Sequence, residues 1–334
     1  MDSGEHDTPN RLPPLSADPL VSVVVINWNG AHHLPTCLDA LRAQTYPHLE
    51  VIVADNASTD GSQALVQESY PEVRLLALPE NRGFTGGNNA GIRASRGAIV
   101  ILLNNDTEVA PDWVAALVDA FRRHPDAGLA ASKMLLFQQR DTFHTAGDLY
   151  RVDGLPGNRG VWQKDTGQYD REEYVFGACG GALAVRREVL DTIGLLDDDF
   201  FFSAEDVDFA WRAQLAGFRC VYVPGAVVYH HLAATGGDVT ASFYNGRNFI
   251  YILAKDYPGD LFRKHWRAVL GRQARIAWEA LRAWRGAAAR ARLRGIIAGV
   301  RGLPRMFRKR RAVQASRRVS LTYLESILTP VDGE

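Results

Sequence analysis

The first third of the chain alternates short apolar runs with polar stretches. Residues 21–26 (VSVVVI) are a largely β-branched run of the kind buried on both faces of a sheet. Leu34, Cys37, Leu38 and Leu41 then recur at helical spacing. Residues 51–54 (VIVA) repeat the strand pattern and end at Asp55. Residues 56–61 (NASTDG) carry turn and N-cap residue types, and a second helix is predicted to about Ser69. Residues 74–78 and 98–103 (AIVILL) predict two more strands, the latter running into Asn104, Asn105 and Asp106.

Strands alternating with helices predict an α/β fold, a mainly parallel sheet with helices on both faces. Such sheets bind ligands beyond the carboxyl ends of their strands. Asn27, Asp55 and Asp106 each follow a predicted strand, so they are expected to converge on one rim. No G-x-G-x-x-G follows the first strand, against a dinucleotide site, and no G-x-x-x-x-G-K-[ST] is present, against a P-loop. Residues 134–174 read as loops with short strands, and 177–185 as a small-residue stretch. A helix is predicted over 207–215, closed by Gly217, then strands at 219–223 and 226–230. The expected organisation is a mobile, proline-bearing leader (1–19), a catalytic domain (20–240) and a mainly helical C-terminal region (241–334).

Across 334 residues the chain is 46% hydrophobic and 23% charged, which excludes a disordered or fibrous protein. Its three cysteines make neither a disulfide framework nor a zinc ribbon. The first residues carry no signal-peptide pattern, and no apolar run has the length of a spanning helix. A soluble, reduced, cytoplasmic protein is expected. The zero net charge conceals an asymmetry: residues 1–235 hold 18 Lys+Arg and 31 Asp+Glu, residues 236–334 hold 20 and 7. A basic tail of this kind suits an anionic or phosphate-rich partner.

Five clusters could carry chemistry. Asp55, with the turn after it, reads either as a helix cap or as an acceptor for the ring N–H of a pyrimidine base. Residues 81–91 (NRGFTGGNNAG) read as a glycine-rich loop, structural or able to approach a sugar or phosphate closely. Asn104, Asn105 and Asp106 are a turn, or an anchor for Mg²⁺ or Mn²⁺ in which only Asp106 is anionic. Glu205, Asp206 and Asp208 open a helix; three acids in four residues exceed what capping needs, and one could serve as a general base. His230 and His231 end a strand and face opposite sides, so at most one can add a neutral imidazole ligand.

These stretches together strongly resemble the GT-A fold family 2 glycosyltransferases, particularly their bacterial rhamnosyltransferase-like branch. The resemblance rests on VSVVVINWNG, VIVADNASTDGS, NRGFTGGNNAGI, ILLNNDTEV, FGACGGALAVRREV, FFSAEDVDFAWRAQLAGF and VPGAVVYHH, in the family's order, over about residues 21–237. It implies a GT-A, Rossmann-like nucleotide-diphospho-sugar transferase fold and an inverting, metal-dependent sugar transfer. Asp55 would contact the nucleobase, with Asn27, Asn29, Arg82, Gly87, Asn88, Asn104 and Asn105 lining the nucleotide and donor site. Asp106 takes the metal-ligand position of the family's D-x-D motif, whose other places are asparagine here, and His230 is the second metal ligand. Asp206 matches the catalytic base, while Gly180, Gly181, Glu205 and Trp211 would border donor sugar and acceptor. The implied cofactor is Mn²⁺ or Mg²⁺. The implied donor is a UDP- or dTDP-sugar, rhamnose among the candidates, and the acceptor a glycan or lipid-diphosphate-linked glycan in cell-envelope polysaccharide synthesis.

Residues 261–301 place apolar groups at three- and four-residue spacing among arginines, predicting a basic amphipathic helix ended by Pro304, with RKRR (308–311) beyond. Such a helix either lies on an anionic membrane, here the inner face of the bacterial membrane, or packs its stripe on the catalytic domain. Three competing readings are weaker. A nucleotidyltransferase would need a basic loop after the first strand, where NWNG stands instead. A nucleic-acid-binding protein is disfavoured by the acidic first two-thirds. A dead scaffold is disfavoured by the intact Asp55, Asp106 and Asp206.

Overall fold

A computed structural model describes residue 10, residues 12–231 and residues 237–331. In chain order the elements begin β1 (Val21–Asn27), α1 (Leu34–Arg42), β2 (Leu49–Asp55), α2 (Ser62–Ser69), β3 (Arg74–Ala77), α3 (Gly83–Ala94), β4 (Ile99–Asn104), β5 (Thr107–Val109) and α4 (Trp113–Arg123). There follow β6 (Ala127–Leu136), β7 (Gln139–Thr145), β8 (Asp148–Tyr150), β9 (Pro156–Asn158), β10 (Glu173–Val175), β11 (Ala182–Arg186) and α5 (Arg187–Ile193). The chain closes with α6 (Glu205–Leu215), β12 (Arg219–His230), α7 (Gly237–Lys255), α8 (Gly259–Arg282), α9 (Ala287–Ala315) and α10 (Leu321–Ile327).

The main sheet runs β10-β12-β6-β11-β4-β1-β2-β3, with β5 on β12 and β7 on β6. It is mixed and mostly parallel: β1 pairs in parallel with β2 and β4, and β12 with β6, while β11 lies antiparallel between β4 and β6. Side-chain alternation along β1 explains its unbroken apolar run. Val23 and Val25 enter one core with α1 and α4, and Val24 and Ile26 enter the other with α3 and α6.

Three expectations about elements change. Residues 81–91 are mostly helical rather than a loop, since α3 begins at Gly83. Its glycines are there for packing: a Cβ on Gly87 would strike Ile26, and one on Gly91 would strike Val24. Residues 219–223 and 226–230 form one strand, β12, with a register shift between Val223 and Val227. The basic amphipathic segment is two helices, interrupted at 283–286, and Pro304 lies inside α9 instead of ending it.

The N-terminal residues described are held against the domain. Leu12 is buried, Asn10 N–H donates to the Gly217 carbonyl, and Tyr46 Oη donates to the Pro19 carbonyl at 2.6 Å. The C-terminal helices share a third core with the catalytic part, in which Tyr150, Phe176 and Trp211 meet Ile252, Tyr257, Met306 and Leu324. Helices α7 and α9 cross almost backbone to backbone. A Cβ on Gly246 would meet the Arg292 carbonyl, and one on Gly295 the Phe243 carbonyl. No described helix is long and apolar enough to cross a membrane.

Candidate active site

A cavity of about 560 Å³ opens at the carboxyl ends of β1, β2 and β4. Asn104, Asp106 and His230 line it, as do Gly180, Gly181, Glu205 and Asp206, so β4, β12 and the start of α6 supply its chemistry. The strand ends converge as expected. Asn27 Nδ2 donates to Asp55 Oδ2 at 2.8 Å, and Asn105 Nδ2 donates to Asn27 Oδ1 at 2.5 Å. Asp55 itself lies behind this chain of amides, fully buried. Its Oδ1 accepts from Ser58 N–H (2.9 Å) and Gln63 Nε2 (2.7 Å). It therefore anchors the rim from inside, while Trp28 and Asn56 reach the cavity.

Asp106 Oδ1 lies 3.2 Å from His230 Nε2, and both side chains are nearly buried. Asn104 Nδ2 is 3.3 Å from the same Nε2, and His230 Nδ1 is 3.1 Å from His144 Nδ1. His230 Nε2 thus lies within reach of both an amide nitrogen and a carboxylate oxygen, and of the two facing Nδ1 atoms one must donate and the other accept. Burial, followed by the neighbouring His230, pushes the His144 imidazole down to about 3, so it is neutral. The Asp106 carboxylate and the His230 imidazole thus converge from the ends of β4 and β12. Asp106 Oδ1 and Asn104 Oδ1 are also buried without hydrogen-bond partners. Converging, electron-rich oxygen and imidazole atoms fit a divalent cation that would complete its shell with substrate oxygens. Among the described residues no three His, Cys, Asp or Glu side chains form a complete ion cage. His231 points elsewhere, stacked on Phe137 with ring centroids 3.6 Å apart, and its N–H donates to the Asp106 carbonyl.

The acids of α6 divide by environment. Asp206 Oδ2 accepts from Gly180 N–H at 2.8 Å and its Oδ1 from Val207 N–H at 2.8 Å. Burial raises its pKa, and those two donors oppose the rise. Glu205, with Oε2 unpaired, is raised well above the ordinary range by burial and by Asp206 beside it. Of the two, Asp206 has the hydrogen-bond donors that stabilise a carboxylate, and Glu205 Oε2 has none. Asp208 turns away from the cavity into a buried network with Arg212 and Lys255; burial opposes its ionisation, but those cations outweigh it and hold its pKa down. Asp148, raised well above the ordinary range by burial and by Asp206, adds a fourth buried acid nearby.

Several expected site residues lie elsewhere. Trp211 is fully buried in the third core, edge-on to Tyr150 and Phe176 at about 5 Å, because α6 aims it opposite to Asp206. Arg82 is exposed and pairs with Glu80 at 3.4 Å. Asn88 is buried with Nδ2 donating to the Phe84 carbonyl, and Gly87 serves the packing described above. Asn29 is on the surface, its Oδ1 accepting from Thr59 N–H, and braces the loop after β2. The sequence reading missed His144, a lone histidine in β7 with no motif around it. It also missed the aromatic wall of Phe201, Phe202 and Tyr244, for which the FFS run before Glu205 was the available signal.

A mixed, mostly parallel sheet with an acid- and imidazole-lined cavity at its strand ends is the GT-A fold. A family model for Glycosyl transferase family 2 matches residues 22–194. The chain belongs to that family and is a hexosyltransferase. It is 31% identical over 278 residues to the N-acetylglucosaminyl-diphospho-decaprenol L-rhamnosyltransferase of Mycobacterium tuberculosis, covering 75% of this chain and 88% of the relative. It is 37% identical over 227 residues to the succinoglycan biosynthesis protein ExoO of Rhizobium meliloti, covering 66% and 63%. Among solved structures it resembles a mannosyltransferase from Pyrobaculum calidifontis in complex with GDP-Man and Mn²⁺, with TM-score 0.53, 19% identity and coverage of 96% and 86%.

Proposed function

We propose that this chain is an inverting, metal-dependent glycosyltransferase. It moves a sugar, rhamnose being the favoured candidate, from a UDP- or dTDP-linked donor to a hydroxyl of a glycan or lipid-diphosphate-linked glycan in cell-envelope polysaccharide synthesis. The observation that carries this reading is one cavity bordered by both the Asp106–His230 pair and the Asp206 carboxylate. The likeness to an N-acetylglucosaminyl-diphospho-decaprenol L-rhamnosyltransferase supports the sugar and the acceptor class.

Asp106, His230 and the Asn104 carbonyl would hold Mn²⁺ or Mg²⁺, which when bound offsets the charge developing on a leaving diphosphate. Gly180 N–H and Val207 N–H aim the Asp206 carboxylate into the cavity. Asp206 takes the proton of the acceptor hydroxyl as its oxygen attacks the anomeric carbon from the face opposite the diphosphate. One base suffices for this single displacement, so no covalent sugar–enzyme intermediate forms. Glu205, raised well above the ordinary range by burial and by Asp206, can in its protonated form donate a hydrogen bond to a sugar oxygen. Trp28 offers an apolar face for the base, and the Phe201–Tyr244 stack (5.6 Å) offers one for the transferred sugar ring.

The tail supports attachment to the inner face of the membrane. Helix α8 buries only Leu261, Val269 and Ala280 among its described residues. Trp266 (46%) and Trp278 (54%) remain exposed beside Leu270, Leu281, Arg263 and Arg267, a surface suited to anionic headgroups. A thermal-shift screen of UDP- and dTDP-sugars with and without Mn²⁺ tests the whole reading. Stabilisation by a nucleotide sugar that depends on Mn²⁺ is expected, and no response to any of them overturns it.

A further inference from the structure

The segment just before Asp206 has an unfavourable backbone. Phe201, Ser203 and Ala204 sit at φ 61°, 67° and 64°, a left-handed conformation that non-glycine residues seldom adopt. Three such residues within four persist only where the surroundings hold them. The segment cannot relax without consequence, because Glu205 and Asp206 are the next two residues and begin α6.

The restraint comes from one face of α7, outside the family-matched residues 22–194. Asn248 is fully buried, and its Nδ2 faces three carbonyls of this segment, those of Phe200 (3.2 Å), Phe202 (3.0 Å) and Ser203 (2.6 Å). Its Oδ1 accepts from Arg247 Nε at 2.8 Å, which fixes the amide with its donors toward the loop. Arg247 Nη2 adds bonds to the carbonyls of Asp199 (2.9 Å) and Phe200 (2.6 Å). Ser203 Oγ donates to Asn245 Oδ1 at 2.6 Å. Neither Asn248 nor Arg247 lines the cavity.

We propose that Asn248, oriented by Arg247, is a positioning residue for sugar transfer, holding residues 200–204, with their three left-handed positions, in the conformation that presents Asp206 to the acceptor. This rests on the reading of Asp206 as the base. Replacing the carboxamide by a carboxylate of the same shape removes the donors and sets an acceptor against three carbonyls.

The test compares wild type, Asn248→Asp, and Asn248→Asp combined with Ala204→Gly, which relieves one left-handed position. Three readouts are taken: backbone hydrogen exchange, calorimetric binding of dTDP with Mn²⁺, and dTDP release from dTDP-rhamnose. Asn248→Asp is expected to speed exchange over residues 199–208 alone, leave dTDP affinity unchanged and lower kcat about 100-fold, the scale of a small misplacement of a catalytic group. The glycine is expected to recover part of that kcat. Unchanged exchange and kcat overturn the proposal. So does exchange accelerated along the whole chain with loss of dTDP binding, since Asn248 would then only hold the fold. If wild type itself releases no dTDP, the reading of this donor fails, and the exchange data alone decide the role of Asn248.

Discussion

Asp106 Oδ1 and His230 Nε2 face each other across 3.2 Å, and Asp106 Oδ1 is buried without a hydrogen-bond donor. Under the proposed function a divalent cation would bridge the pair. Asp106→Ala and His230→Ala are expected to abolish the enhancement of UDP or dTDP binding by Mn²⁺ in calorimetric titration. His144→Phe, which removes only the partner of His230 Nδ1, should weaken Mn²⁺ binding by about 10–100-fold.

Asp206→Asn keeps a carbonyl for the Gly180 and Val207 N–H groups but cannot take a proton. Its kcat should fall by about 10²–10⁴-fold with nucleotide affinity intact. Steady-state kinetics alongside calorimetry separates the two, and wild-type turnover in this variant rules out Asp206 as the base.

Burial raises Asp206, so its carboxylate is lost as pH falls through a value above the ordinary aspartate range of about 3.9. The acid limb of the kcat profile should lie there. The same sign governs stability: a carboxyl raised on folding stabilises most below its unfolded pKa, and that contribution is lost as pH rises through the folded one. Glu205 is raised further, by burial and by Asp206. Glu205→Gln should therefore raise Tm at pH 8 and change it little at pH 5, as thermal unfolding at the two pH values would show.

Trp211 belongs to the core it shares with Tyr150, Phe176 and Tyr257. Trp211→Ala should cost about 3–5 kcal/mol of stability. Denaturant titration measures this, and dTDP affinity at low temperature should remain near that of the wild type.

The exposed aromatic groups of α8 lie among arginines rather than against the domain. Wild type should float with vesicles containing anionic lipid and stay behind with neutral ones. Trp266→Ala combined with Trp278→Ala should sediment with both. Equal flotation of this variant on anionic vesicles removes α8 from the contact.

How far the sequence could be read depended on whether a residue acts through its type or through its surroundings. The β-branched runs of β1, β2 and β4 were legible because a strand covered on both faces admits little else. Asp106, Asp206 and His230 were legible from motifs at strand and helix ends. Helix α3 was hidden by its own glycines, whose low helix propensity is overruled by close contact with β1. Trp211 and Asp206 sit five residues apart on one helix, and only the packing of α6 reveals that they face different ways. His144 and Asn248 act on a single nitrogen and on main-chain carbonyls, which leave no pattern along the chain.

The near-contact of α7 and α9 at Gly246 and Gly295 has a consequence for protein engineering. Because α7 grips the residues ahead of Asp206, a fragment cut before α7 would leave those residues without their restraint, and one cut at residue 194 would lose Asp206 and His230 themselves. Chimeras that borrow the tail of a relative must import α7 and α9 as one piece. Grafting either helix alone would set a foreign side chain where the two backbones leave no room for a methyl group.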